Sequence, residues 1–349
     1  MKAGWLLKPT AAFDYVLPPD RIARYPSERR DQSRLLVVDR AAGTIEHRIF
    51  ADIAGMIPAG DALVLNRSRV FRARLLGTRD SGAPAEVFLL HQAGSPETWE
   101  AMVHPGGKLH PGRTVHVAPG FDVRIEEVTD RRTRIVRLLT DLPVPDAIEQ
   151  HGHVPLPPYV DRPDEAADAD RYQTVYARES GSVAAPTAGL HFTQALLDRI
   201  EARGVRRIEL VLHVGAGTFK PVEVEDPARH VMHRESFEVD AGAADAFNAV
   251  RDAGGTSWVV GTTSARTLES IADAQGRIRA ASGATGLFIT PGYNFRTVDH
   301  LVTNFHLPRS TLLMLVAAFA GYDLTMEAYR VALAEDYRFY SYGDAMLVR

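Results

Sequence analysis

The segment Val259-Val260-Gly261-Thr262-Thr263-Ser264-Ala265-Arg266-Thr267-Leu268-Glu269-Ser270 joins an apolar strand pattern directly to a helix pattern. We predict a strand over Ser257–Val260, a turn at Gly261 and a helix behind it. Ligands of open α/β sheets bind at such strand ends. The hydroxyls of Thr263 and Ser264, together with Arg266, are therefore candidate contacts for a ribose or a carboxylate; simple N-capping of the helix is the alternative interpretation.

The sequence on both sides continues to alternate between strand and helix patterns. This alternation indicates an α/β layer. The predicted elements are a helix capped by Thr193, a strand over 207–214, a helix over 243–253, a helix over 312–320 that begins at Ser310 or Thr311, and a helix over 326–336 capped by Thr325.

Residues 35–139 show a different pattern of short apolar runs separated by Gly- and Pro-containing turns. Closely spaced short strands are typical of a small barrel or sandwich. We predict a mixed α/β (α+β) main domain formed by residues 1–66 and 151–349, with a small β-barrel domain inserted at 67–150. The predicted strands are 35–38, 45–50, 61–66, 85–90, 99–104, 114–118, 123–128 and 133–139.

Composition excludes several classes of protein. The 349-residue chain has no cysteine, which excludes disulfides, zinc ribbons, iron–sulfur clusters and a cysteine nucleophile. Its longest notable apolar run, 312–320, is far shorter than the ~18 residues that span a bilayer. No signal peptide is visible near the N-terminus. We therefore expect a cytoplasmic protein without membrane contact.

Basic residues are concentrated in the first part of the chain. Residues 1–140 carry 21 Lys and Arg against 16 Asp and Glu, whereas the remainder carries 19 against 28. Arg24, Tyr25, Arg30 and Arg34 lie close together in sequence, and Arg with interleaved aromatics suits phosphate binding and base stacking. An ordinary solvent-exposed loop is the alternative interpretation.

Two histidine-containing loops lie next to predicted strand and helix ends. His191-Phe192-Thr193 leads into a helix N-terminus, where unpaired N–H groups favour a carboxylate or phosphate, and His191 is a candidate acid or base. His213-Val214-Gly215-Ala216-Gly217-Thr218-Phe219 ends a strand with a glycine loop. It lacks the dinucleotide-binding pattern because position 220 is Lys, and the common methyltransferase pattern because position 219 is Phe.

His230-Val231-Met232-His233-Arg234-Glu235 has the spacing of a possible metal site. Neither a helix nor a strand would direct all three candidate ligands to one point, so we expect no metal here. His233 and Glu235 on one strand face could transfer a proton; a polar strand without a function is equally compatible with the pattern.

Two further segments combine polar and aromatic residues near the C-terminus. Asn304 and His306 precede the most apolar predicted helix, and Tyr342 and Asp344 belong to the aromatic run at 337–344. Burial in an ordinary core would also explain both segments.

Taken in order, these blocks resemble the S-adenosylmethionine:tRNA ribosyltransferase-isomerase family of queuosine biosynthesis. The likeness covers essentially the whole chain and is loosest in the inserted region at 75–150. It is strongest at 171–177, 181–193, 213–222, 231–235, 261–270, 291–293, 303–321 and 337–348. One departure is Asn66-Arg67-Ser68-Arg69-Val70 in place of the family's Asn-Asp-Thr-Arg-Val, which exchanges an acid for a cation.

The resemblance implies transfer and isomerisation of the ribosyl part of S-adenosylmethionine onto 7-aminomethyl-7-deazaguanine at the tRNA wobble position, with release of adenine and methionine. It implies no cofactor beyond this co-substrate and no metal; we expect a monomer. The candidate bases and acids are His191, His213, His233, Glu235 and His306. Candidate S-adenosylmethionine contacts are Phe192, Thr193, Gly215, Gly217, Phe219, Thr263, Ser264, Arg266, Asn304, Tyr342 and Asp344. Candidate tRNA contacts are Arg24, Tyr25, Arg30, Arg34, Arg67 and Arg69.

Two other functions are compatible with these residues. An S-adenosylmethionine-dependent RNA methyltransferase would use the same co-substrate, although the glycine pattern argues against it. A non-catalytic tRNA-binding protein would use the basic region alone, and it would leave the many His, Thr and Gly residues at element ends without a purpose.

Overall fold

The computed structural model describes residues 8–215, 217 and 222–349. Its strands are β1 (Arg34–Asp39), β2 (Thr44–Ile49), β3 (Ala62–Asn66), β4 (Ser68–Val70), β5 (Arg74–Arg79), β6 (Pro84–Gln92), β7 (Thr98–His104), β8 (Thr114–Ala118), β9 (Phe121–Val128), β10 (Arg134–Thr140), β11 (Glu179–Ser182), β12 (Arg206–Leu212), β13 (Glu235–Val239), β14 (Ser257–Val260), β15 (Ala281–Thr285), β16 (His300–Asn304) and β17 (Ala345–Val348). Its helices are α1 (Ile53–Met56), α2 (Val144–His151), α3 (Asp168–Arg171), α4 (Gln194–Glu201), α5 (Ala241–Asp252), α6 (Thr262–Ile271), α7 (Thr311–Ala320) and α8 (Tyr322–Ala334).

Across the described residues, a nine-stranded sheet has the order β15-β13-β12-β3-β14-β16-β17-β1-β2. Strands β12, β3, β14 and β16 are parallel to one another, while β17 runs antiparallel to β16. Both ends of the chain meet in this sheet because β1 pairs in parallel with β17. The mixed α/β class is therefore confirmed.

Helices cover both faces of the sheet, and its central strands β3 and β14 are therefore buried at every position. Leu63 and Leu65 of β3 pack into one core with α1 and α4, whereas Ala62 and Val64 pack into a second core with α5 to α8. The strand period of two directs alternate side chains to opposite faces, and strands buried on both faces read as continuous apolar runs.

Strands β10-β7-β6-β5-β8-β9 form a closed barrel. Alternate residues such as Val87, Leu89, Val123 and Ile125 fill its interior. The barrel lies between β4 and β11 in sequence, and these two strands pair with each other beside it. The inserted β-barrel is confirmed; the exact division at 66/67 and 150/151 stays a prediction.

Several predicted helix boundaries are confirmed and one is wrong. Thr193 and Ser310 cap α4 and α7 by accepting hydrogen bonds from backbone N–H groups. Helix α8 begins at Tyr322 rather than after Thr325, and the Thr325 hydroxyl donates to the carbonyl of Gly321 instead of capping. Thr at a helix start and Thr inside the first turn have the same local sequence signal.

No single helix among the described residues is long and apolar enough to cross a membrane. The bent pair α7 and α8 reaches the required length and composition only when both helices are counted together.

Candidate functional site

The carboxyl ends of β3, β12, β14 and β16 meet at one edge of the sheet because these strands are parallel. The segments that follow begin with His213 after β12, with Gly261 after β14 and with Phe305 after β16. Gly261 has a φ of +87°, which a side chain rarely tolerates, and it lets β14 turn sharply into α6. This edge is where an open α/β sheet places its ligand.

A small cavity of about 60 Å³ lies at this edge, which we call the strand-end cavity. Its lining includes Thr263, Asn304, His306 and Tyr340. Within the described part of the chain, Thr263 Oγ1 and Asn304 Oδ1 are buried without a hydrogen-bond partner. Such orphaned atoms are rare and costly unless a ligand or water satisfies them. The cavity is too small for a whole nucleoside, so it can hold only part of a ligand.

Arg266 and Glu235 form a buried ion pair beside a second cavity of about 380 Å³, the arginine cavity. Arg266 Nη1 donates to Glu235 Oε2 at 2.5 Å, and the two residues are 4% and 5% exposed. Glu235 Oε1 also accepts from the Gly215 N–H at 3.0 Å. Arg266 Nη2 is buried and has no partner among the described residues. The Nη2 amino group of the guanidinium thus remains available for an anionic group.

A third cavity of about 840 Å³ separates the barrel from the sheet edge; we call it the interdomain cleft. His213, Val214 and Gly215 line it on the sheet side. Val214 also lines the strand-end cavity, and Glu235 lines both the cleft and the arginine cavity. The three cavities therefore meet around the loop that follows β12.

Of the predicted histidine bases, His213 lines the interdomain cleft. Its ring packs against Gly181, where an added Cβ would lie 2.8 Å from the ring. Its Nδ1 has no partner in the described chain. Burial lowers the pKa of His213 below its usual value, and Glu179 and Glu238 oppose that shift. The imidazole is therefore neutral, and able to accept a proton, at neutral pH.

His191 and His306 are more deeply buried and already engaged. His191 Nδ1 lies 2.7 Å from Ser33 Oγ, and its Nε2 lies 3.2 Å from Asn304 Nδ2. Thr303 Oγ1 lies 2.6 Å from His306 Nε2. Burial lowers the pKa of each histidine to about 3, with smaller contributions from Arg338 and Arg30 at His191. Both imidazoles remain neutral over the physiological range.

The predicted His233–Glu235 pair on one strand face is wrong because β13 begins only at Glu235. His233 lies before the strand, is exposed, and borders the arginine cavity beside Gly217. Glu235 is paired with Arg266 rather than with an imidazole. Among the described residues, no group of three or more His, Asp or Glu could hold a metal ion.

Several predicted S-adenosylmethionine contacts lie away from these cavities. Phe192 is fully buried and packs edge-to-face on Phe50, with 4.9 Å between ring centroids. Thr193 caps α4 by accepting from Leu196 N–H at 3.1 Å. Ser264 is buried and donates to the Val260 carbonyl at 2.7 Å.

Tyr342 and Asp344 are likewise occupied by contacts within the protein. The Tyr342 hydroxyl donates to Asp168 at 2.7 Å. Asp344 accepts backbone N–H groups from Arg34 at 2.9 Å and Arg338 at 2.8 Å, and thereby ties the start of β1 to the segment before β17. Phe219 lies outside the described residues.

Two of the predicted tRNA contacts hold the fold together. Arg30 donates to the Leu190 carbonyl at 3.1 Å and the Asp170 carbonyl at 2.7 Å. The Arg34 guanidinium lies 3.7 Å from the centre of the Tyr337 ring. Neither guanidinium is free to follow a phosphate backbone without breaking these contacts.

The other predicted tRNA contacts are more accessible. Tyr25 is 53% exposed, with the Arg162 guanidinium over its ring. Arg24 is exposed and lies 3.4 Å from Asp161. Arg69 is exposed on β4.

Arg67 is mostly buried between two acids, 3.8 Å from Glu179 and 3.5 Å from Asp240. The two carboxylates therefore compensate the charge of this largely buried cation.

Sequence reasoning missed Gly181, the cleft residues Phe71 and Trp99, and Tyr340 in the strand-end cavity. The segment 181–193 carried a signal for Gly181, because it belongs to a block that resembles the family. The other three are ordinary aromatics in sequence, and only their position at a cavity distinguishes them.

Comparison with known proteins agrees with this geometry. The model of the queuosine biosynthesis protein family matches residues 10–348. An S-adenosylmethionine:tRNA ribosyltransferase-isomerase of Symbiobacterium thermophilum is 52% identical over 96% of this chain and 98% of its own, and one of Syntrophomonas wolfei is 50% identical over 97% and 96%.

A solved S-adenosylmethionine tRNA ribosyltransferase from Thermotoga maritima is 38% identical, with a TM-score of 0.56, over 97% of this chain and 100% of its own. These relatives support neither a methyltransferase nor a non-catalytic binding protein. The chain belongs to the queuosine biosynthesis protein family.

Proposed function

We propose that this chain transfers the ribosyl part of S-adenosylmethionine to 7-aminomethyl-7-deazaguanine in the tRNA wobble position and isomerises it, giving epoxyqueuosine in tRNA with adenine and methionine. The main support for this proposal is sequence identity: two relatives named as this enzyme are 52% and 50% identical to the chain over nearly its full length. The protein acts as a monomer in the cytoplasm, where its tRNA substrate is found, and needs neither a metal nor a further cofactor.

The unpartnered polar atoms at the sheet edge support a division of the co-substrate between two cavities. Arg266 Nη2 binds the methionine carboxylate, since a guanidinium suits a carboxylate and this N–H is otherwise unsatisfied. Thr263 Oγ1 and Asn304 Oδ1 bind polar groups of the nucleoside in the strand-end cavity. The reacting carbons then lie near the loop between the two cavities.

His213 is the base in this scheme. The sulfonium acidifies the adjacent ribose carbon, so an imidazole can remove a proton without a metal. His213 is neutral at neutral pH and has an unpartnered Nδ1 in the described chain. His191 and Asn304, which contact each other, position the wall of the strand-end cavity rather than exchange protons.

The test is to incubate the protein with labelled S-adenosylmethionine and tRNA carrying the deazaguanine amine, and to measure adenine release and the modified nucleoside by mass spectrometry. We expect equal amounts of both products. His213→Ala should abolish them, whereas a matched change of exposed His110 to Ala should not. Absence of adenine with the unaltered protein would contradict the proposed function.

A further inference from the structure

The interdomain cleft has a wall that the proposed chemistry does not use. On the barrel side it is lined by Phe71, by the end of β6 and by Trp99 at the start of β7, and helix α2 closes one flank. The opposite wall carries His213, the proposed base. A group that enters the cleft from the barrel side therefore reaches the reaction centre.

Two aromatic rings face this cleft as an oriented pair. The Phe71 and Trp99 ring centroids are 5.5 Å apart with an angle of 47° between the planes. The Trp99 indole N–H donates to the Pro96 carbonyl at 2.9 Å, which holds the ring in place. Both residues pack at the edge of the barrel core and are only partly buried, so each ring keeps some exposed surface. Partly exposed, fixed aromatic faces are the platforms on which single-stranded bases stack.

The charges of the cleft favour a base over a phosphate backbone. Arg234 lines it together with Asp146, Glu149 and Glu235, so acids outnumber arginines among these lining residues. Glu149 is also paired with Arg72 at 3.3 Å. Arg266 likewise neutralises Glu235, so the lining has no excess of positive charge to hold a phosphate backbone, whereas Asp146 suits the cationic aminomethyl group of the proposed substrate base. The exposed basic residues Arg24 and Arg69 lie outside this lining, where a phosphate backbone can reach them.

We infer that the target base of the tRNA leaves its stack, enters the interdomain cleft and stacks on Trp99, with Phe71 supporting that ring. This inference rests on the proposed function and names the site of its RNA substrate. An enzyme that acts on a base must expose it, and a stacking surface offsets part of the lost base stacking. S-adenosylmethionine occupies the other two cavities, so the substrates approach His213 from opposite sides.

Fluorine NMR of the unaltered sequence tests this placement without a substitution. The chain has three tryptophans, and incorporation of 5-fluorotryptophan gives each a resonance. We expect the Trp99 resonance to shift on addition of an anticodon stem-loop carrying the deazaguanine amine. Trp258, which is 3% exposed and donates to Asp61, is the internal control and should not move. Binding of the RNA, measured by anisotropy, without a shift at Trp99 would overturn the inference.

Kinetics supply a second, independent test. Stacking of one base corresponds to about a 5- to 150-fold change in affinity. Trp99→Ala should raise the KM for tRNA within that range and leave the KM for S-adenosylmethionine unchanged, and Trp99→Phe should remain close to the unaltered enzyme. Phe88→Ala, in a cavity formed with residues 153–164 instead, is the matched control and should not change either KM.

A rise only in the KM for S-adenosylmethionine would place that co-substrate in the cleft and refute the inference. The adenine-release assay distinguishes failure of the proposed function from failure of this inference. If the proposed function is wrong, no adenine forms with any variant, and the NMR experiment still reports whether RNA reaches Trp99.

Discussion

The Arg266–Glu235 pair allows stability and ligand binding to be separated in one experiment. The two side chains are each 5% exposed and are joined by a hydrogen bond of 2.5 Å. Breaking a buried ion pair costs about 3–5 kcal/mol, and replacing Arg266 removes the charged hydrogen bond that it donates to Glu235. Arg266→Met should therefore lower the free energy of unfolding by that amount. At about 1.4 °C per kcal/mol for a chain of 349 residues, the Tm should fall by about 4–7 °C.

The double variant Arg266→Met/Glu235→Gln should recover most of this loss. Gln removes the charge yet keeps an oxygen that can accept the Gly215 N–H, as Glu235 does. The affinity for S-adenosylmethionine should not recover, because both variants lack Arg266, which we propose binds the methionine carboxylate.

Thermal unfolding and calorimetric titration with S-adenosylmethionine measure the two quantities on the same samples. If Arg266→Met alone is as stable as the unaltered protein, the predicted cost of breaking the buried ion pair is wrong. A double variant that binds S-adenosylmethionine normally would refute the assignment of Arg266 to the carboxylate.

Three further outcomes are expected. The pKa values of His191 and His306 are lowered to about 3 in the folded protein, so the unfolded chain binds more protons between pH 3 and about 6.5. The free energy of unfolding should therefore fall by ~1.4 kcal/mol per pH unit per histidine as the pH drops through that range. Urea titrations that show no such loss would contradict the burial of these histidines as neutral groups. Arg67→Asp should lower the Tm because it places a third acid beside Glu179 and Asp240, which now pair with Arg67. Arg69→Asp, on the exposed face, should leave the Tm unchanged. Equal effects of the two changes on the Tm would contradict the charge compensation at Arg67. Adenine release should survive exhaustive treatment with EDTA, and activity that is lost and then restored by zinc would favour a metal site.

Much of the architecture follows from local sequence patterns. The alternation around Gly261 predicts the α/β layer, and the turn spacing over 67–150 predicts the barrel. The pairing of β1 with β17 was not predictable, since these strands lie at opposite ends of the chain. The short strands β13, β15 and β16 were also missed, because Glu238, Ser282 and Thr303 interrupt the apolar pattern that made the equally short β3 and β14 recognisable.

Some residues of the candidate site were predicted from the sequence, and the structure places others elsewhere. His213, Arg266 and Asn304 do lie at the cavities of the sheet edge. Phe192 was assigned to a ligand pocket but lies in the core, because an aromatic beside a histidine looks the same in sequence in either setting.

Periodicity and turn chemistry act between neighbouring residues, so the sequence by itself determined the class of fold. Its resemblance to a family indicated which reaction to expect. Only the tertiary structure decided which polar atoms remain available. His191 is occupied by Ser33 from a distant part of the chain, whereas Arg266 Nη2, Thr263 Oγ1 and Asn304 Oδ1 lack partners among the described residues. Hydrogen-bond satisfaction depends on groups brought together across the fold, and no local pattern contains that information.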